Sequence, residues 1–341
     1  MNVAVLRPQV PFARGGAEIF TDRLVDELRA RGHDADLVSV PFKWYPGARV
    51  LTQAFLWRML DLDEADGRRI DVVVATKFPS YLVRHSDKRV WLVHQFRQAY
   101  DLDGTELGQF GDSAEDRAIR RKVQALDRVA LGEATRLFAI SQNVAGRLES
   151  STGLEAEVLP HPPQALDFHC EGYGDFVLSV NRLDRAKRID LLLEAAALDT
   201  GLNVVIAGDG PDRERLEQIA RDRDVDGRAR FAGRVSEEEL ADLYARCLAV
   251  YYAPVDEDYG MVPLEAFLSE KPVLTTTDAG GPLEVVTDGA TGLVVSPDAS
   301  ELARAAGWLR EHREDAASFG RAGHRVAVEI TWDKAIGRLL A

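Results

Sequence analysis

The sequence predicts an α/β protein built as two doubly wound, Rossmann-like domains whose parallel sheets face a cleft. Three observations carry this. A length of 341 residues fits two domains. In each half, six short β-rich runs alternate with helical runs, the pattern of a parallel sheet wound on both faces. Between the halves, Pro160-His-Pro-Pro163 through Gly172-Tyr-Gly174 interrupts the periodicity with clustered proline and glycine, which marks a linker.

In the first half the expected strands are Val3–Leu6, Ala35–Val40, Asp71–Ala75, Val90–His94, Arg136–Ile140 and Ala156–Leu159. Between the first two, Phe20, Leu24 and Leu28 share one helical face, Ala17 and Val25 widen the stripe, and Gly32 stands where a left-handed C′ residue belongs. In the second half they are Phe176–Val180, Asn203–Ala207, Arg230–Ala232, Leu248–Ala253, Pro272–Thr276 and Leu293–Val295. Ser236-Glu-Glu-Glu239 is a capping box for a helix running to about Arg246. Right-handed crossovers would bring every βα loop to one sheet edge, the edge where open α/β sheets bind ligands.

Composition narrows the class. Hydrophobic residues at 46% and charged residues at 29% describe a globular chain, and its net charge is −14. No basic tract, RNA-binding motif or zinc spacing occurs, which argues against a nucleic-acid partner. Two cysteines, Cys170 and Cys247, are too few for a disulfide framework and fit a reducing compartment. Met1-Asn2 runs straight into a strand with no apolar segment of signal or spanning length, so a cytoplasmic location is expected. The segment Trp44–Leu60 carries Trp44, Tyr45, Phe55, Leu56, Trp57 and Met59. It reads either as a buried helix or as a peripheral contact with a membrane surface; its polar face lacks the basic cluster a membrane helix favours.

The stretch from Glu257 to Glu265, Glu-Asp-Tyr-Gly-Met-Val-Pro-Leu-Glu, is the most informative in the chain. Tyr251-Tyr-Ala-Pro254 ends a strand, a polar loop follows, and Gly260 opens a short helix with Pro263 in its first turn, where a missing N–H costs nothing. Two carboxylates beside a helix N-terminus suit a ligand carrying both hydroxyls and phosphate. Asn181-Arg182-Leu-Asp-Arg-Ala-Lys187 follows a strand, and its Arg182 and Lys187 can place a fork and a point charge on one pyrophosphate, or form a solvated basic loop. Arg185 and Arg188 are expected to be secondary.

The remaining loops carry less on their own. Arg14-Gly15-Gly16-Ala-Glu18 lets backbone N–H groups approach an anion at a helix N-terminus, or is a tight turn; the full G-x-G-x-x-G of nicotinamide-cofactor folds is absent. Gly208 and Gly233-Arg234-Val235 end strands and would admit a planar base. Asp278-Ala-Gly280-Gly281-Pro282 opens another short helix. His94 ends a strand, where a lone histidine is ordinarily structural, and His161 and His169 fall in the linker with no assigned chemistry. Asp61-Leu-Asp63 and Asp101-Leu-Asp103 imitate a D-x-D metal motif but read as solvated acidic pairs.

The E-x7-E spacing of Glu257 and Glu265, Gly260 after an aromatic, Pro272 after Lys271, and Gly280-Gly281 together closely resemble the sugar-donor signature of retaining glycosyltransferases of family 4, enzymes of the GT-B fold. The resemblance runs over nearly the whole chain. It implies a hexose transfer from a nucleoside diphosphate sugar, a UDP- or GDP-hexose, to a hydroxyl on a glycan, lipid-linked or natural-product acceptor, with no metal and no other cofactor. By the same resemblance His94, Arg182, Lys187 and Glu257 act at the reacting centre, with His94 beside the transferred sugar and Arg97 a further phosphate or acceptor contact. Gly15, Gly16, Gly260, Met261, Val262, Glu265, Gly280 and Gly281 bind the sugar donor, and the Arg234–Val235 backbone flanks its base. Residues 1–165 would form the acceptor-side domain and 172–324 the donor domain, with a final helix at about 325–341 packing back onto the first. The rivals are a GT-B sugar-nucleotide epimerase or phosphorylase, a non-catalytic nucleotide-sugar binding protein, and a two-domain Rossmann oxidoreductase.

Overall fold

The runs Val3–Leu6, Val72–Ala75 and Val90–Val93 are apolar and buried at every position, as strands covered by helices on both faces must be. The computed structural model describes residues 1–12, 15–105, 108–164 and 166–341. The chain divides into two compact units: Met1–His161 together with Trp332–Ala341, and Pro162–Thr331.

The first unit contains, in order, β1 (Asn2–Gln9), α1 (Gly16–Ala30), β2 (Asp34–Pro41), α2 (Arg49–Met59), the strands β3 (Glu64–Ala65) and β4 (Arg68–Arg69), β5 (Val72–Lys77), β6 (Lys88–His94), α3 (Ala114–Gly132), β7 (Arg136–Ala139), α4 (Gln142–Thr152) and β8 (Glu157–Val158). Its main sheet is all parallel, in the order β2-β1-β5-β6-β7-β8. The second unit contains β9 (Phe176–Val180), α5 (Ile189–Leu198), β10 (Asn203–Ala207), α6 (Arg213–Asp222), β11 (Ala229–Gly233), α7 (Glu237–Arg246), β12 (Ala249–Tyr251), α8 (Met261–Leu268), β13 (Val273–Thr276), β14 (Gly292–Val295), α9 (Ala299–Glu311) and α10 (Arg313–Ala327). Its sheet is also all parallel, in the order β11-β10-β9-β12-β13-β14. Every strand expected from the sequence is present, and two Rossmann-like parallel-sheet domains are the architecture.

Local signals act as read. Phe20, Leu24, Val25 and Leu28 are the buried stripe of α1. Gly32 takes φ 80 and donates its N–H to the Arg29 carbonyl at 2.9 Å, closing that helix. Ser236 Oγ accepts the Glu239 N–H at 3.1 Å. Other features depart from the reading. The antiparallel pair β3–β4 was not expected. Helix α2 starts only at Arg49, so Trp44 and Tyr45 precede it. Val50, Ala54 and Trp57 form its buried face, while Phe55, Leu56 and Met59 are exposed. No helix among the described residues is long and apolar enough to cross a membrane.

The last helix, α11 (Trp332–Leu340), belongs to the first unit, whereas α10 stays with the second. Trp332 packs in an aromatic cluster with Phe20, Trp91 and His161, in which His161 stacks on Phe20 at 4.3 Å. Arg89 Nη1 donates to the Leu339 carbonyl at 2.6 Å, tying the helix to β6. His161 is thus a packing residue.

Candidate functional site

In the second sheet the strand order reverses beside β9: β10 lies on one side and β12 on the other. Loops leaving β9 and β12 therefore diverge, and a crevice opens at the carboxyl ends of the strands. The loop after β9 carries Arg182 and Lys187; the loop after β12 carries Glu257. The Val255 N–H donates to the Ala186 carbonyl at 2.9 Å and joins the two loops. Arg188, left-handed at φ 48, fastens them further. It donates to the carbonyls of Ala253 and Pro254, to Thr276 Oγ1, and to both oxygens of Asp278, at 2.7–2.9 Å. The residue expected to be secondary is a structural staple of three loops.

Across this crevice Lys187 Nζ pairs with Glu257 Oε2, each side chain about one-fifth exposed. Burial pulls the Lys187 ammonium down, but Tyr252 and Glu257 outweigh it and hold its pKa above the ordinary lysine value. The Glu257 backbone is fixed by a bridge to the next loop: its N–H donates to the Ala279 carbonyl and its carbonyl accepts the Gly281 N–H, both at 2.8 Å. The Gly281 amide is thereby engaged, so this glycine serves the site by holding Glu257. Gly280, at φ 76, precedes a single four-residue 3₁₀ turn, Gly281–Glu284.

Gly260 caps α8 at φ 78, and Met261 and Val262 are its first helical residues. Amides of a first helical turn have no intrahelical acceptor, which makes this end electropositive. Glu265, farther along α8, is only 4% exposed. Tyr244 donates its hydroxyl to Glu265 Oε2 at 2.7 Å. Burial raises the Glu265 carboxyl pKa against the opposing effect of Tyr244 and Gln164. Arg182 is exposed at the same edge, as is Arg234 after β11, with Val235 half-buried beside it. The Gly208 N–H donates to the Gly233 carbonyl at 2.7 Å, so the two glycine loops run side by side.

The first unit repeats the arrangement. Its strand order reverses at β1, between β2 and β5. Gly15 caps α1, and its N–H donates to Glu18 Oε2 at 3.0 Å; Lys77, ending β5, pairs with Glu18 Oε1 at 2.9 Å. The Gly15–Gly16 turn is thus capped by the chain's own carboxylate, while Arg14 lies outside the described residues. One strand over, His94 ends β6 with its Nδ1 donating to the Gln95 carbonyl at 2.6 Å. His94 lines an open pocket of about 510 Å³ with Gln95, Arg97, Tyr100, Arg147 and Ser151. Asp101 pairs with both Arg97 and Arg147, and Asp103 with Arg120, so this acidic pair is bound in ion pairs rather than solvated. Asp61 and Asp63 are exposed.

Sequence reasoning missed Tyr244, Tyr252, Lys77 and the Gln95–Tyr100–Arg147 lining. One signal was available. In Tyr251-Tyr252 at a strand end, alternation sends one ring to the core and the other to the opposite face. Tyr251 packs in the core with its hydroxyl on the Arg188 carbonyl at 2.7 Å, and Tyr252 faces Glu257.

Residues 172–326 match the family described as glycosyl transferases group 1. The chain is 29% identical to the D-inositol 3-phosphate glycosyltransferase of Mycolicibacterium smegmatis, a match covering 100% of this chain and 85% of that protein. The first curated relatives are matched over only 36 to 39% of their own length. Among solved structures, sucrose-phosphate synthase from Thermosynechococcus elongatus superposes with a TM-score of 0.81 at 19% identity, covering 99% of this chain and 98% of that one. Anabaena HepE in complex with UDP-glucose superposes with a TM-score of 0.73 at 17% identity, covering 100% and 98%. Residues 172–326 thus match a glycosyl transferases group 1 domain, and the chain shares the GT-B fold of these solved structures.

Proposed function

We propose that the protein is a retaining glycosyltransferase that moves a hexose from a nucleoside diphosphate sugar to an acceptor hydroxyl without a divalent ion. The observation that carries this reading is the meeting of Lys187 and Glu257 at the switch point of the second sheet, with the Glu257 loop leading directly to the N-terminus of α8. A cation, a carboxylate and a helix N-terminus together match a ligand with phosphates at one end and hydroxyls at the other.

The barrier to transfer is set by charge that develops on the departing diphosphate. Arg182, Lys187 and the amides of Gly260, Met261 and Val262 oppose that charge. Loss of one such preorganised group costs about 3–4 kcal/mol of transition-state stabilisation. Glu257 accepts hydrogen bonds from sugar hydroxyls and Glu265 from the ribose, while the Arg234–Val235 backbone borders the base. The family resemblance assigns His94 and the acceptor contacts to the first unit. The bond from the anomeric carbon to the phosphate oxygen breaks and a bond to the acceptor oxygen forms on the same face. The acceptor proton passes to the leaving phosphate. The UDP-glucose held by the HepE relative makes a UDP-hexose the first sugar donor to try, with a GDP-hexose next.

The test is NMR of reactions run in EDTA with UDP-glucose or GDP-mannose and a panel of hydroxyl acceptors. The expected product keeps the donor's anomeric configuration. An inverted anomer, an absolute need for manganese, or an epimerised nucleotide sugar formed without acceptor would each contradict the reading.

A further inference from the structure

One side chain touches Lys187, Glu257 and the cap of α8 and has no role in the mechanism above. Tyr252, immediately after β12, is 4% exposed. Its backbone is anchored on both sides: the N–H donates to the Leu274 carbonyl at 3.0 Å, and the carbonyl accepts the Thr275 hydroxyl at 2.6 Å. The Tyr252 hydroxyl donates to Glu257 Oε2 at 3.2 Å. Lys187 Nζ lies over its ring, 5.6 Å from the centroid. The same ring underlies the cap of α8: a Cβ added at Gly260 would stand 2.6 Å from Tyr252 Cε1 and 3.2 Å from its Cζ and hydroxyl. Only glycine lets the cap, at φ 78, approach the ring this closely.

We infer that Tyr252 is a positioning residue of the sugar-donor site, setting the Glu257 carboxylate through its hydroxyl and supporting Lys187 and the cap of α8 with its ring. The inference rests on the proposed function. Lys187 and Tyr252 grip the same oxygen of Glu257, Oε2. When a diphosphate draws the Lys187 ammonium to itself, the Tyr252 hydroxyl still holds Oε2, and the carboxylate keeps the orientation that sugar hydroxyls need. Burial, then the neighbouring Glu257 charge, raises the phenol pKa above its ordinary value, so the hydroxyl remains a hydrogen-bond donor at neutral pH. The two functions separate by chemistry: a phenylalanine keeps the ring and loses only the grip on Oε2.

The experiment is a double-mutant cycle with Tyr252→Phe, Glu257→Gln and the pair. It reads the Kd of UDP or GDP, whichever binds the wild-type protein, and kcat with the corresponding hexose donor. Y252F is expected to hold nucleotide affinity within about twofold and to lower kcat about tenfold, the scale of one hydrogen bond to a charged group. The double variant should turn over no more slowly than E257Q alone, because the hydroxyl acts through Glu257. Wild-type kcat in Y252F, or losses that multiply in the double variant, would overturn the inference while leaving the functional reading standing. A wild-type protein that binds nucleotide but transfers no hexose, or binds none, would overturn that reading and this inference with it.

Discussion

Lys187 and Glu257 lie 70 positions apart and form one ion pair. Lys187→Ala is expected to keep the fold, because the ion pair is partly exposed, and to lose most turnover through the roughly 3–4 kcal/mol of electrostatic stabilisation at stake. Steady-state kinetics beside a melting curve checks this, and near-normal kcat at saturating sugar donor would contradict it. Asp127, in α3, makes a different prediction. It is fully buried, the Tyr100 hydroxyl donates to it at 2.8 Å, and burial raises its pKa to about 7 despite that bond. A carboxyl raised in the folded state binds protons more tightly there than in the unfolded chain. Its contribution is therefore complete below the unfolded value and is lost as pH rises through about 7. Stability should fall between pH 4 and pH 8 by an amount on the order of 4 kcal/mol, at 1.36 kcal/mol per unit, and Asp127→Asn should remove that share. Urea unfolding of both proteins at the two pH values decides; an unchanged slope in the variant would contradict it. Lys187 and Glu257 were legible as chemistry, since each stands in a polar loop that directly follows an apolar strand run. Tyr252 and Asp127 were not, because a tyrosine and a helical aspartate acquire meaning only from what packs around them.

Elements were legible where burial imposes a pattern. Parallel strands covered on both sides must be apolar throughout, and each such run became a strand. Strand order was not legible. Alternation shows that β9 and β12 exist, but only packing makes them neighbours, and their adjacency creates the crevice. Helix α8 depends on a similarly hidden contact. It is backed by α10, where glycines permit close approach: a Cβ at Gly323 would fall 2.2 Å from Phe267 Cδ1, and one at Gly320 1.7 Å from the Glu270 carbonyl oxygen. Gly323→Ala should force the helices apart and cost about 1–3 kcal/mol of stability. Because α8 carries the capped N-terminus of the site, nucleotide affinity should fall as well. Calorimetric melting with a nucleotide titration reads both, and an unaltered melting temperature would contradict the packing argument.

At the scale of the molecule, the two units share a device: each places a lysine–glutamate pair where its strand order reverses, Lys77 with Glu18 and Lys187 with Glu257. The first unit is completed by the last ten residues of the chain, through Trp332 and the Leu339 carbonyl. Ending the chain at Thr331 should loosen the first unit and spare nucleotide binding by the second. Hydrogen exchange would show this as lost protection in β1, β5 and β6, and equal protection with and without α11 would contradict it. The central claim, that the second unit binds a nucleoside diphosphate through Lys187 and the start of α8, is tested most directly by thermal shift in EDTA. The ligands are UDP, GDP, ADP, dTDP and NAD, applied to the wild-type protein and to Lys187→Ala. One nucleoside diphosphate should raise the wild-type melting temperature, adding about 2.7 kcal/mol at one hundred times its Kd, and should do so far less for the variant. A response to NAD alone, to nothing, or equally in both proteins would contradict the account.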